Sequence, residues 1–151
     1  MSDIYDIYKM LDWENPPEIQ AEGVRLAKQV EDLSLLIQPP ASPSVWEKCA
    51  EILSEKGEDE LQPYLPSLLE WLQDLNWPGA WLILNRLKSY SGRKLKKPFV
   101  DCVIIAIHSG DTEDSMWLDF LAELLDNEAL KTELPQDILD ILQSRYHHWY
   151  N

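Results

Sequence analysis

A chain of 151 residues suits a single domain. At that size folding hides roughly 70% of the surface the unfolded chain exposes, so neither a disulfide nor a metal is required to hold it. Hydrophobic residues at 45% and charged residues at 26% exclude wholesale disorder, and no apolar run approaches the ~20 residues of a membrane helix. The formal net charge of -14 argues against nucleic acid and anionic membrane as partners, because such a field repels phosphate and speeds encounter with a basic protein. Acidity also keeps a compact protein soluble, which is what net charge speaks to first.

The chain opens Met-Ser-Asp-Ile-Tyr-Asp, without the basic flank and apolar core of a secretion leader. Cys49 and Cys102 stand apart in apolar stretches, so two buried thiols in a reducing, cytoplasmic setting are expected. Proline marks where helices begin or loops turn, since it lacks the N–H that a helix interior needs but fits the first turn. A first helix is expected to end at the corner Leu11-Asp12-Trp13-Glu14-Asn15-Pro16. The next, after Pro16-Pro17, carries Ile19, Val24, Leu26, Ala27 and Val30; another, after Pro43, carries Val45, Trp46, Cys49, Ile52 and Leu53.

From Leu61 to Leu75 the apolar residues Leu61, Tyr64, Leu65, Leu68, Leu69, Leu72 and Leu75 recur at steps of three and four, which predicts one amphipathic helix. A further helix is predicted to start at Pro78, capped by Asp74 or Asn76, with Gly79 letting the paired helices approach closely. Phe99 to Ile107 is apolar nearly all round. A strand there would have no period-two partner, so a buried helix is expected. Met116, Trp117, Phe120, Leu121, Leu124 and Leu125 follow an acidic start at Asp111–Asp114 that suits a helix N-terminus. Ile138, Leu139, Ile141, Leu142 and Tyr146 mark a last helix after Pro135.

These helices are short and come in pairs. Trp13, Trp46 and Trp77 are spaced by 33 and 31 residues, with Trp117 40 further on, a period that argues for a helical array. The stretch Asn15 to Ala27 looks like the turn and second helix of a HEAT-like repeat. Leu68-Leu69-Glu70-Trp71-Leu72-Gln73-Asp74-Leu75-Asn76-Trp77-Pro78-Gly79-Ala80 resembles the signature of a small bacterial family known only as a domain of unknown function. The resemblance is good over Leu61 to Leu125 and loose in the flanks. It implies an all-α fold, a HEAT-like array of short antiparallel helix pairs (an α-α superhelix), as one domain over residues 1–151. It brings no activity or cofactor with it.

Trp71, Trp77 and Trp81 share one corner and are expected to form an aromatic cluster, either a packed core corner or a binding hot spot. With Asp74 and Asn76 they are the candidate binding residues. No residues are assigned to catalysis, cofactor or metal. His147 and His148 are adjacent, about 100° apart on a helix, so they do not chelate one metal as an i, i+4 pair would; they read as surface residues, and His108 follows an apolar helix. Asp111, Glu113 and Asp114 lack the glycine and the closing glutamate of a calcium loop. Phosphate loops, nucleophile elbows and zinc-protease motifs are all missing.

Arg86, Lys88, Arg93, Lys94, Lys96 and Lys97 crowd around Ser89–Gly92, as a solvated loop with a basic helix end or as a dock for an acidic partner. The leading expectation is a non-catalytic module whose acidic face binds a basic protein, as an immunity protein binds a basic toxin. An enzyme like the HEAT-like DNA glycosylases is the alternative, by fold analogy alone, and a self-associating homodimer the third.

Overall fold

The computed structural model describes residues 3–109 and 112–147, with the backbone alone for residues 112–115. The acidic run Asp111, Glu113 and Asp114, together with His148, lies outside the described side chains. Every regular element among the described residues is helical, as the sequence predicts. They are α1 (Ile4–Leu11), α2 (Pro17–Ala27), α3 (Trp46–Ser54), α4 (Glu58–Leu61), α5 (Leu65–Glu70), α6 (Ala80–Lys88), α7 (Gly92–Ser109), α8 (Thr112–Leu121), α9 (Glu128–Lys131) and α10 (Gln136–Arg145). Short 3₁₀ turns join several of them, at Pro43–Val45, Gln62–Tyr64, Trp71–Gln73 and Ala122–Asp126.

Local chemistry sets most starts. Asp3 accepts the Tyr5 N–H at 3.4 Å ahead of α1, and prolines occupy the first turn of α2 and of the 3₁₀ turn before α3. The helices then pack in succession: α1 on α2, α2 on α3, and α3 on α6. Further along, α5 lies on α7, which carries α8 and α9, and α10 closes against α8. One continuous core results, running from Leu11 through Cys49, Leu69 and Phe99 to Leu142.

Two predicted elements change form. The helix predicted from Leu61 to Leu75 is α4 and α5 joined and ended by 3₁₀ turns. Pro63 and Pro66 remove two N–H donors and tighten the winding. Its apolar stripe still faces inward, since Leu61, Leu65, Leu68, Leu69, Leu72 and Leu75 are all buried. Phe99 to Ile107 lies in the helix α7, but only one side of it is covered. Phe99, Cys102, Val103 and Ala106 are buried, whereas Ile104, Ile105 and Ile107 face solvent, Ile105 at 58% exposure. An apolar run does not reveal which side has a neighbour.

Gly92 opens α7 where no side chain fits. A Cβ there would lie 2.1 Å from the Ala129 carbonyl carbon, so α7 meets the backbone of α9 directly.

Candidate functional site

The tryptophan corner is built around Trp46. Its ring meets Trp71 at 6.3 Å and Trp77 at 6.0 Å, both edge to face. The sequence places Trp46 at the start of a different helix, and the packing of α3 on α6 brings it into the corner. Trp71 is 0% exposed and Trp77 partly buried, whereas Trp81 on α6 is 41% exposed. Three indoles find a carbonyl: Trp46 donates to Pro39 at 3.1 Å, Trp71 to Pro78 at 3.1 Å, and Trp117 to Leu69 at 3.0 Å. These bonds let a polar N–H enter an apolar interior without cost from an unmade bond.

Asp74 and Asn76 do not cap a helix at Pro78. The helix begins at Ala80, and its N-cap is Gly79 in the left-handed region, φ +85°. Asp74 instead accepts the Asn76 N–H at 2.8 Å, an Asx turn that reverses the chain before the helix. Gly79 makes the close approach the sequence suggests: a Cβ there would sit 2.6 Å from the Ala50 Cβ. Of the five predicted binding residues, Trp71 is core, Trp77 half-core and Asp74 a turn former, leaving Trp81 and Asn76 to face outward.

A second constellation, at the end of α10, has no counterpart in the sequence reading. Arg145, Tyr146 and His147 follow one another and meet Asp119, Asp126 and Glu123, carboxylates spaced by four and three residues along one side of α8 and the turn after it. Arg145 pairs with Asp119 at 2.9 Å. The Tyr146 hydroxyl donates to Asp126, which Lys88 also approaches at 3.0 Å. Burial pushes the Asp126 carboxyl up, but hydrogen bonds from Tyr146 and Lys88, with the charges of Lys88 and His147, outweigh it and hold it below its ordinary value.

Glu123 is 1% exposed. The His147 backbone N–H donates to its Oε2 at 2.9 Å, and His147 Nδ1 lies 2.9 Å from its Oε1. To present both groups, His147 adopts φ +59°, an unusual conformation for a residue with a side chain. His147 is thus partly exposed, in keeping with the surface position expected, and also a partner of a buried carboxylate. Beside it, buried Asn127 donates to the Leu87 and Tyr90 carbonyls at 2.9 and 2.8 Å and accepts the Leu130 N–H at 3.0 Å.

The basic cluster is helical on both sides of a three-residue turn, not a loop. Arg86 and Lys88 end α6, and Arg93, Lys94, Lys96 and Lys97 open α7. Much of its charge is answered internally, with Lys88 on Asp126, Lys94 on Asp59 at 3.1 Å, and Lys97 on Asp101 at 3.1 Å. Arg86 lies over the Tyr90 ring, 5.4 Å from its centre. The whole chain is charge-segregated around this cluster. Residues 61–109 hold six basic and three acidic residues, whereas residues 1–60 hold 14 acidic and residues 110–151 another ten.

The candidate chemistry is muted. Burial pushes the Cys49 and Cys102 thiols up to about 12, so neither is a thiolate near neutrality. Among the described residues no three His, Cys, Asp or Glu side chains converge to hold a metal, and no helix is long and apolar enough to cross a membrane.

No curated protein and no solved structure matches the chain. The model of one family, described as a domain of unknown function (DUF5071), matches residues 47–149. That is more than half of the chain, which belongs to this family.

Proposed function

We propose that this member of the family is a non-catalytic protein-binding module whose acidic surface receives a basic protein, in the manner of an immunity protein. The observation that carries the reading is the segregation of charge: 24 of the 27 acidic residues lie outside residues 61–109. In the first flank Asp6, Glu14, Glu18, Glu31, Glu47 and Glu60 are exposed and have no ion-pair partner among the described residues. Unanswered charges of one sign steer an oppositely charged partner and raise its association rate. The successive packing of short helices favours a HEAT-like array, which would present those charges on an extended surface. Two free, buried cysteines fit a cytoplasmic setting.

The test is affinity capture from the source cells, followed by identification of what is bound. A basic partner should be retained at low salt, released near 1 M salt, where the screening length is about 3 Å, and lost on charge reversal at Glu14, Glu18 and Glu47. Salt-insensitive capture that instead depends on Trp81 would overturn the reading. A second reading, self-association, rests on the exposed Ile104, Ile105, Ile107 and Met116 along α7 and α8. Light scattering across a concentration series separates monomer from dimer.

A further inference from the structure

The two acidic flanks are not in the same state. Asp6, Glu14, Glu18, Glu31, Glu47 and Glu60 of the first flank face solvent with no ion-pair partner among the described residues, whereas Asp119, Glu123 and Asp126 in the second meet the chain's own Arg145, His147 and Tyr146, Asp126 with Lys88 besides. We propose that this C-terminal strap is an autoinhibitory contact, seated in cis where the basic segment of a partner would dock. The inference rests on the acidic-surface reading above and adds to it a site and a control.

Two observations support it. The strap matches the surface residue for residue: a guanidinium, a phenol and an imidazole on three successive carboxylates. The middle carboxylate is also unusual, because Glu123 is almost fully buried and every polar contact described for it comes from His147. A buried carboxylate with no other donor demands an occupant that brings a donor or a positive charge. With the strap lifted, a segment of the same chemistry can take its place, in competition with water. The strap is also well placed to lift. It begins at the last residue of α10, its backbone leaves the helix at Tyr146, and its Arg145 pair and His147 ring are partly exposed. A tethered competitor acts at an effective concentration of order millimolar, so the closed chain masks the surface from weaker segments in solution.

The test uses the full chain and a labelled peptide of its own residues 143–151, with binding read by fluorescence anisotropy. The triple variant Arg145→Ala, Tyr146→Ala, His147→Ala opens the strap and should bind the peptide at least tenfold more tightly than the unaltered chain. Glu123→Gln added to the open variant should return binding to the unaltered level. Equal affinity of open and closed chains, with the open variant folded by circular dichroism, overturns the proposal. So does binding that survives Glu123→Gln.

Should the open variant not fold, hydrogen exchange decides on the unaltered chain, isotopically labelled and mixed with unlabelled peptide. Displacement must accelerate exchange at the chain's own His147 amide, and an unchanged rate rules the strap out as displaceable. If the strap fails these tests while the unaltered chain still captures a basic partner in a salt-sensitive way, only the autoinhibition is lost. If capture fails as well, the acidic-surface reading falls with it.

Discussion

The tryptophan corner and the C-terminal strap solve the same problem with opposite chemistry. Each ties together segments far apart in the chain. In the corner, indole rings fill volume and spend their one donor on a backbone carbonyl, as Trp71 does on Pro78. At the strap, charged side chains meet each other, and one carboxylate is carried into the interior to do so. The aromatic joint gains from the area it removes from water and leaves little polar accounting open. The ionic joint must offset the desolvation of its charges, which makes it conditional on its partners staying in place. A joint of the first kind suits a permanent scaffold, and one of the second suits a contact that opens.

The comparison breaks most visibly at Trp71. Trp71→Ala should cost about 3–5 kcal/mol, read as a lower urea midpoint at unchanged slope, because a fully buried ring leaves a cavity that α3 and α6 do not close. Gly79→Ala in the same corner should cost upward of about 1–2 kcal/mol, the left-handed backbone alone accounting for that much before the contact with Ala50 is counted. Asn127 is next in sequence to Asp126 of the other joint, though bonded to Leu87, Tyr90 and Leu130 and not to the strap. Asn127→Ala should cost about 1–3 kcal/mol, by stranding the Leu130 N–H and two carbonyls in the interior.

Alkali sharpens the comparison. Tyr90 is pushed up to about 12, first by burial and then by Glu58, and both thiols stand at about 12 as well. Groups whose pKa is higher folded than unfolded contribute stability that is present below their unfolded values of about 9 to 10 and is lost as pH rises toward 12. Urea midpoints should therefore hold up to pH 9 and fall between pH 9 and 12. A thiol reagent at pH 8 should leave both cysteines unmodified until the chain unfolds. The smallest effect is expected at Asn76→Ala, within about 0.5 kcal/mol, because the side chain faces solvent. A larger loss would show that the outer rim of the corner contributes to the fold.

How much of this the sequence discloses depends on the range of the signal. Helical periodicity is local, so the all-helical class and the buried stripe of Leu61 to Leu75 are legible from spacing alone. Proline placement locates starts well, yet it does not foretell that Pro63 and Pro66 inside a good pattern yield 3₁₀ turns. The corner is half legible. A run of three tryptophans within eleven residues announces an aromatic cluster, but its centre, Trp46, lies 25 residues before Trp71 and enters only through packing. The strap is not legible at all. Arg145, Tyr146 and His147 look like a frayed polar end, and nothing nearby in sequence points to acids 20 or more residues upstream. Charge segregation was available by counting, and it is hidden by a net charge quoted for the whole chain.

The uneven burial of the indoles gives the molecule an internal optical contrast. Trp71 and Trp117 lie in the core with their N–H groups on carbonyls, while Trp13 and Trp81 look outward. A small neutral quencher should reach the outer pair and spare the inner one, so emission divides into an accessible and a protected fraction. Iodide should reach even the outer pair less well than acrylamide, because the net negative charge thins an anion from the surface. The gap between the two quenchers is then a direct optical gauge of the acidic field, and a basic partner that neutralises the field should narrow it.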